Sequence, residues 1–166
     1  MLPADEIVTI VDQDNREICQ VSRKAMRQGG LIHRASYILV FNRTGDLFVQ
    51  LRTMSKDIYP GYYDVATGGV VLAGESYEVS AKRELAEELG VRSIPLTSHF
   101  DFYHEDDANR VWGRLFTCTT DGPFLLQASE VEAGFFLPPS EAVAMSERER
   151  FTPDGIMVLK RFLGLP

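Results

Sequence analysis

Three glutamates in the middle of the chain have a spacing that can do chemistry. Glu84, Glu87 and Glu88 stand at positions i, i+3 and i+4, which places their carboxylates on one face of an α-helix. Like charges at this spacing destabilise an isolated helix, so a cation ligated by all three explains the cluster best. All-oxygen ligands favour Mg²⁺ or Mn²⁺. The spacing therefore predicts a divalent-metal site.

The segment before these glutamates is rich in glycine. Gly68 and Gly69 are followed by Gly74 and Glu75, and residues without side chains let backbone carbonyls approach a ligand closely. A lone acidic pattern of this kind is ordinarily a solvated helix face. Beside a glycine-rich loop and a further carboxylate, the pattern instead predicts a cradle for a metal ion and a diphosphate.

The composition limits the classes of partner. The chain has 166 residues, a formal net charge of −7, 45% hydrophobic and 25% charged residues, which is typical of one soluble globular domain. An acidic chain without clustered Lys and Arg predicts no general nucleic-acid or membrane partner. Cys19 and Cys118 form no metal-ligand spacing, and the first residues lack a leader pattern. We therefore expect a reduced, cytoplasmic protein.

Turn signals and apolar runs predict the elements that must position the glutamates. Ser76 is a suitable N-cap and Gly90 a suitable end for a helix over 76–89. Between them Ala81, Leu85 and Leu89 recur every four residues as an apolar stripe. Two hairpins are predicted, one pairing 7–11 with 17–21 and one pairing 37–41 with 47–51. Further strands are predicted at 99–103, 113–119 and 133–137, and two late helices at 140–145 and 153–163. Strands interleaved with helices imply an α/β sandwich.

Every fixed position of the Nudix box is present, namely Gly69, Glu75, Arg83, Glu84, Glu87, Glu88 and Gly90. The chain thus resembles the Nudix hydrolase superfamily. The resemblance implies an α/β/α sandwich with a mixed β-sheet in a single domain over 1–166. Within it we expect an N-terminal hairpin extension over 1–30 and the box over 69–91. The resemblance also implies hydrolysis of a diphosphate linked to a nucleoside or another group.

Roles for the box residues follow from the resemblance by position. The family's ligands of Mg²⁺, with Mn²⁺ as a substitute, correspond to Glu84, Glu87, Glu88 and the backbone carbonyl of Gly68 or Gly69. Arg83 resembles the arginine that orients the glutamates by a charge-assisted contact. A surface i,i+4 pair between Arg83 and Glu87 is a second explanation, and both can hold.

The residue that activates the attacking water is left open. In some Nudix enzymes the general base lies in the box, and in others it comes from a loop before a late strand. Glu130, five residues before Phe135, is the candidate for the second arrangement. An exposed loop acid is an equally good explanation of Glu130.

A wider resemblance extends outside the box. The stretches His33 to Ser36 and Leu51 to Gly61 are similar to the isopentenyl-diphosphate isomerase-like branch of the superfamily, and within it the whole pattern is similar to the YfcD-type hydrolases. In those isomerases the residues that match Arg52 and Lys56 contact the substrate's diphosphate. Both are therefore candidate substrate-binding residues. Two solvated basic residues beside a turn are the alternative.

The residues that isomerase chemistry needs are missing. Its cysteine would fall on Thr67 or Gly68 and its aromatic residue on Asp154, while of its metal histidines only His33 has a counterpart. The sequence therefore predicts Mg²⁺-dependent hydrolysis of a small-molecule substrate, a nucleoside diphosphate derivative or a similar X-linked diphosphate. An isomerase and a catalytically idle nucleotide-binding domain are the alternatives. The hairpin over 7–21 leaves homodimer formation open.

Overall fold

The central strand of the sheet shows how the sequence pattern builds the fold. The computed structural model describes residues 2–166, and strand β3 (His33–Phe41) pairs with four other strands. Tyr37 and Leu39 pack into a hydrophobic cluster on one face of the sheet, whereas Ile38 and Val40 pack into a second cluster on the other. Successive strand residues point to opposite faces. A strand that is apolar on both faces must therefore be covered on both.

Nine strands of the described residues form one sheet. Their bounds are Ile7–Val11 (β1), Glu17–Ser22 (β2), His33–Phe41 (β3), Leu47–Arg52 (β4), Tyr63–Asp64 (β5), Thr67–Val70 (β6), Thr97–Glu105 (β7), Arg110–Thr119 (β8) and Val131–Leu137 (β9). Strand β3 pairs parallel with β8 and antiparallel with β6, and β4 pairs antiparallel with β9. The predicted mixed sheet is confirmed.

Helices cover both faces of the sheet. Between residues 2 and 166 the four α-helices are Arg23–Gly29 (α1), Tyr77–Leu89 (α2), Pro139–Met145 (α3) and Pro153–Leu163 (α4). Helix α2 buries Ala81, Leu85 and Leu89 in one cluster, whereas α4 buries Val158 and Leu159 in the other. This arrangement confirms the α/β sandwich. No helix in this part of the chain has the length and apolar character needed to cross a membrane.

The N-terminal hairpin forms as predicted, and a helix that the sequence pattern does not predict follows it. Strands β1 and β2 pair antiparallel, and β2 lies at the edge of the sheet. Ser22 then caps α1 by accepting a hydrogen bond from the N–H of Ala25 at 3.1 Å, and Gly30 ends it in the left-handed conformation. Only Met26 of this seven-residue helix is buried. One buried residue gives no periodic signal, so the pattern cannot reveal the helix.

The predicted hairpin over 37–41 and 47–51 differs in its pairing. Strands β3 and β4 are joined by a tight turn, but they pair only at Phe41 and Leu47. The strands then diverge, because β6 and β8 pair with β3 while β9 pairs with β4. The other predicted strands and helices lie at the expected places, and several extend by a few residues beyond the predicted ends.

Candidate active site

Helix α2 carries the three glutamates of the acidic pattern. Ser76 caps its start by accepting a hydrogen bond from the N–H of Val79 at 3.1 Å, and Gly90 ends it with a φ of +67°. The exposed fraction is 3% for Glu88, 12% for the Glu84 side chain and 48% for that of Glu87. The carboxylates thus run from the interior out to solvent along one face of α2.

The glycines beside this face lie in a strand rather than in the predicted loop. Gly68 and Gly69 belong to β6 and pair with Tyr37 and Ser36 of β3, because the backbone ladder continues through them. A Cβ atom added to Gly69 would lie 2.7 Å from Oε1 of Glu84, and one on Gly68 would lie 2.0 Å from the carbonyl oxygen of Ser36. Glycine therefore allows the Glu84 carboxylate to lie directly against the β6 backbone.

Arg83 joins the carboxylates around the start of the box. Its guanidinium donates to both oxygens of Glu75, at 2.8 and 3.0 Å, to Glu84 at 2.8 Å and to Glu87 at 3.2 Å. Glu75 also accepts the backbone N–H of Leu72 at 2.9 Å. A forked guanidinium that bridges three carboxylates fits an orienting role, and the i,i+4 contact with Glu87 is part of the same arrangement.

Electrostatics set Glu88 apart from its neighbours. Burial raises the pKa of the Glu88 carboxyl well above its ordinary value, the nearby Glu84 raises it further, and Lys56 acts in the opposite direction. Burial also raises the pKa of Glu84, against the effect of Arg83. In the described part of the chain, Oε2 of Glu88 has no hydrogen-bond partner. A buried carboxylate with a free oxygen is costly unless a proton or a cation neutralises it.

The donor set of this face fits a hard divalent cation. Carboxylate and carbonyl oxygens are the ligands that Mg²⁺ and Mn²⁺ prefer, and the glycine backbone leaves room for close approach. Among residues 2–166, no three His, Cys, Asp or Glu side chains already converge as metal ligands, and Arg83 forms ion pairs with Glu84 and Glu87. A metal ion at this face would therefore share these carboxylates with Arg83 or reorient them.

Lys56 and Glu130 face α2 across a cavity of about 190 Å³, which Gly68, Gly69 and the three α2 glutamates also line. We call it the acidic cavity. The Lys56 ammonium and the Glu130 carboxylate form an ion pair within it. The exposed fractions of the two side chains are 12% and 25%, so neither is a freely solvated surface group. The structure brings both predicted residues to the box.

Arg52 lies outside the acidic cavity. It lines a neighbouring cavity of about 70 Å³, which Lys56, Gly68 and Gly69 also line. Its guanidinium donates to the carbonyls of Ile58 at 2.8 Å and Tyr59 at 3.3 Å, and it lies 3.6 Å from the Asp64 carboxylate. Arg52 is thus a partly buried, paired cation beside the predicted site rather than a solvated surface residue.

Helix α1 contributes two arginines that the sequence does not identify. Arg23 and Arg27 both donate to Asp57, at 3.0 Å each, and Arg27 also donates to Asn109 at 3.3 Å. Arg23 lines both cavities. The basic i,i+4 pair is visible in the sequence, but the position of Arg23 beside the acidic cavity depends on how α1 packs.

Comparison with known proteins identifies the family. The NUDIX domain pattern matches residues 31–161. The chain is similar to the uncharacterized Nudix hydrolase YfcD of Escherichia coli K12, with 46% identity over 158 residues that cover 95% of this chain and 87% of that protein. It is also similar to the uncharacterized Nudix hydrolase PA4841 of Pseudomonas aeruginosa, with 41% identity over 158 residues, or 95% and 94% of the two chains.

A solved structure shows the same fold. DR0079 from Deinococcus radiodurans superposes with a TM-score of 0.83 at 24% identity, over 94% of this chain and 98% of that one. The finer likeness to isopentenyl-diphosphate isomerases stays a prediction. The domain pattern matches most of the chain, both relatives are Nudix hydrolases, and the intact box lies beside the acidic cavity. The chain therefore belongs to the Nudix hydrolase family and is a hydrolase of pyrophosphate bonds.

Proposed function

We propose that this chain is a Mg²⁺-dependent pyrophosphohydrolase that cleaves the diphosphate linkage of a nucleoside diphosphate derivative or a similar X-linked diphosphate. The observation that carries the proposal is the buried Glu88, whose free oxygen lies on the same helix face as Glu84 and Glu87. Such a group calls for a cation. The family provides the reaction in which a cation at this place is useful.

Glu84, Glu87, Glu88 and the carbonyl of Gly68 or Gly69 would hold Mg²⁺, with Mn²⁺ as a substitute. A bound divalent ion supplies charge neutralisation at the phosphates and lowers the pKa of a water molecule. Arg83 fixes the directions of the Glu84 and Glu87 carboxylates through its hydrogen bonds. Arg83 therefore positions these carboxylates and does not contact the substrate.

Cations of the chain itself attract the substrate's phosphates. Lys56 lies in both cavities, so its ammonium can neutralise an anion that enters between them. Arg52 adds positive charge from the adjoining cavity. Since both cations already have carboxylate partners, we propose that a diphosphate competes with those partners for hydrogen bonds.

Glu130 is the proposed general base. Its carboxylate lines the acidic cavity opposite the α2 glutamates, and its ion pair with Lys56 keeps it oriented. When a substrate phosphate engages Lys56, the Glu130 carboxylate becomes free to accept a proton from the attacking water. A base within the box is the competing assignment.

Release of phosphate and pyrophosphate tests the proposal. The assay compares nucleoside diphosphate derivatives, nucleotide sugars, dinucleotides, coenzyme A and isoprenoid diphosphates with Mg²⁺ and with Mn²⁺. Glu88→Gln should lower kcat/KM by more than about 100-fold, beyond what a supporting residue costs. Glu130→Gln should lower kcat by about 10² to 10⁴ if Glu130 is the base.

The matched control is Glu132→Gln, because Glu132 is an exposed acid two residues further along. Its activity should equal that of the unaltered chain. Near-normal turnover in Glu88→Gln would overturn the proposed metal site. Near-normal turnover in Glu130→Gln alone would instead assign the general base to a residue of the box.

The residues around the box give less support to the two alternatives, an isomerase and an idle binding domain. Neither cysteine is placed to act at the box. Cys19 is exposed on β2, and Cys118 is buried in the core. Burial raises the pKa of the Cys118 thiol to about 11. Neither lines the acidic cavity, whereas an isomerase needs a cysteine at its reaction centre. An idle binding domain would have no need of a complete glutamate set.

Two further expectations stay proposals. We propose a cytoplasmic location, since both cysteines are free thiols. We also propose that the exposed edge strand β2 is where a second copy would pair in a homodimer.

A further inference from the structure

The cavity that Arg52 lines has features that the hydrolysis itself does not use. We call it the inner cavity; Tyr37, Arg52, Asp64 and Asp154 form part of its lining. It adjoins the acidic cavity, because Arg23, Lys56, Gly68 and Gly69 line both. Its volume of about 70 Å³ is several times the roughly 10–15 Å³ that one water molecule needs. A small polar group of a ligand fits there.

The charged donors of the inner cavity are already engaged. Arg23 and Arg27 donate to Asp57, and Lys56 pairs with Glu130. Arg52 donates to two backbone carbonyls and lies beside Asp64. These groups therefore leave little free donor capacity for a ligand at the inner end of the cavity.

Acceptor capacity, in contrast, is left over at Asp154. This residue is 6% exposed, and its Oδ2 accepts a hydrogen bond from the Tyr37 hydroxyl at 2.7 Å. Its other oxygen, Oδ1, has no hydrogen-bond partner in the described residues. A buried carboxylate oxygen without a donor costs free energy of folding. Asp154, which lines the inner cavity, thus carries an acceptor oxygen that lacks a partner.

His33 adds a second acceptor to the same cavity. Its Nδ1 lies 3.2 Å from the carbonyl oxygen of Leu31, and a carbonyl can only accept, so Nδ1 carries the proton. Burial lowers the pKa of this imidazole to about 3, which keeps the ring neutral. Nε2 is then an acceptor. The lining is therefore biased towards groups that accept hydrogen bonds.

A simpler explanation of Asp154 is a favourable charge in the first turn of α4. Acids that serve this purpose are ordinarily solvated and need no partner from another element. Asp154 is instead buried, bonded to Tyr37 of β3 and placed beside Asp64 of β5. Gly155 leaves room for this arrangement, since a Cβ there would lie 2.6 Å from Oδ1 of Asp64.

We propose that the inner cavity is the binding site for an N–H or O–H donor at the end of the substrate's X group, with Asp154 as its acceptor. The inference rests on the proposed hydrolysis and narrows its substrate class. X then carries an amino group or a hydroxyl group, rather than an apolar tail such as an isoprenoid chain. Buried polar groups of this kind reject a ligand that leaves them unpaired.

Binding of three matched series of phosphate monoesters tests the inference. ω-Aminoalkyl, ω-hydroxyalkyl and methyl-ended alkyl phosphates, each with chains of two to six carbons, are titrated calorimetrically into the full chain with Mg²⁺. None contains a diphosphate bond, so binding is measured without turnover. At the chain length that reaches Asp154, a donor end should bind at least about tenfold more tightly than a methyl end, the value of one hydrogen bond to a charged group. The amino and hydroxyl series distinguish an amine-bearing X from a polyol.

Asp154→Asn replaces the free acceptor by an amide and should reduce the preference for donor ends to below about twofold. Asp14→Asn, at an exposed turn position, is the matched control and should keep the full preference. If circular dichroism shows that Asp154→Asn does not fold, Asp154→Ser takes its place, because it removes the same carboxylate acceptor and should reduce the preference in the same way.

Equal affinity of methyl and donor ends at every length would overturn the inference, and so would a preference that survives in the folded variant. The outcome is independent of catalysis. A donor preference in a chain that releases no phosphate from any diphosphate would overturn the proposed hydrolysis alone. Turnover of diphosphates without any donor preference would overturn only the role of the inner cavity.

Discussion

The acidic face of α2 and the inner cavity lie on either side of the β6 glycines, yet they are assembled in opposite ways. Glu84, Glu87 and Glu88 come from two turns of one helix. The inner cavity is lined by residues from β3, β4, β5 and α4 that are widely separated in sequence. A helix alone aligns the first group, whereas the second requires the whole sheet to form.

Neutralisation of charge differs between the two regions as well. On the α2 face, Arg83 holds carboxylates whose exposure rises from Glu88 to Glu87, so a cation can enter from solvent. In the inner cavity, burial raises the pKa of Asp64 to about 6, against the opposing effect of Arg52 and with a further rise from Asp154. The α2 face can therefore exchange a cation with solvent, whereas the inner cavity keeps a fixed set of buried polar groups.

Outside the proposed metal ligands and general base, the largest expected effect comes from breaking the orientation of the α2 carboxylates. Arg83→Lys keeps a positive charge but loses the fork that bridges three carboxylates, so Mg²⁺-dependent kcat/KM should fall by about 10- to 100-fold. Arg92→Lys, at an exposed position, is the control and should leave the rate unchanged. Equal rates in both variants would mean that Arg83 is only a surface pair.

A change in the inner cavity should act on stability. Tyr37→Phe removes the donor to the buried Asp154 and should lower the free energy of unfolding by about 1–3 kcal/mol. Tyr103→Phe removes a hydroxyl bonded to Glu105 at the surface and should cost at most about 0.5 kcal/mol. Urea unfolding of the two variants measures the difference. Similar costs would show that the Asp154 contact is solvated.

The pH dependence of stability should distinguish the α2 face from the inner cavity, because each holds a buried carboxyl group with a raised pKa. Folding raises the pKa of the Glu88 and Asp64 carboxyls, whereas in the unfolded chain they titrate near about 4. Their contribution to stability is therefore full below that pH and is lost as the pH rises through the raised values. With a chelator present, the melting temperature should fall between about pH 5 and 8.

Adding Mg²⁺ should cancel the part of this fall that belongs to Glu88 and leave the part that belongs to Asp64. Glu88→Gln should likewise remove only the first part, and Asp64→Asn only the second. Thermal melts across this pH range check the expectation. A melting temperature that is equally pH-dependent in Glu88→Gln and in the unaltered chain would contradict it.

The smallest expected effect concerns the outer surface of α2. Lys82 lies 3.1 Å from Glu78, and both side chains are more than half exposed. Lys82→Gln should change the free energy of unfolding by only about 0.2–0.5 kcal/mol and leave hydrolysis intact. Chemical unfolding together with the phosphate-release assay measures this. A large loss of activity would extend the functional face of α2 beyond its three inner glutamates.

Much of the site was predictable because its signals are local. The cap at Ser76, the four-residue apolar repeat and the spacing of the glutamates each depend on helix geometry alone. The sequence also predicts most of the strands and helices, though not α1, β5 or β6, and the resemblance of the box to a known family. Gly68 and Gly69 show the limit: glycine suggests a loop by itself, but pairing with β3 makes both of them strand residues.

By itself, the sequence determined the acidic helix face, its capping and a sandwich of strands and helices, because each follows from residue types and spacing along the chain. The mixed sheet was implied by the family resemblance. Only the tertiary structure decided that Lys56 pairs with Glu130, that Arg52 faces Asp64, and that Asp154 meets Tyr37. These contacts join residues 12 to 117 positions apart. Their geometry depends on strand register and helix docking, which no local pattern encodes.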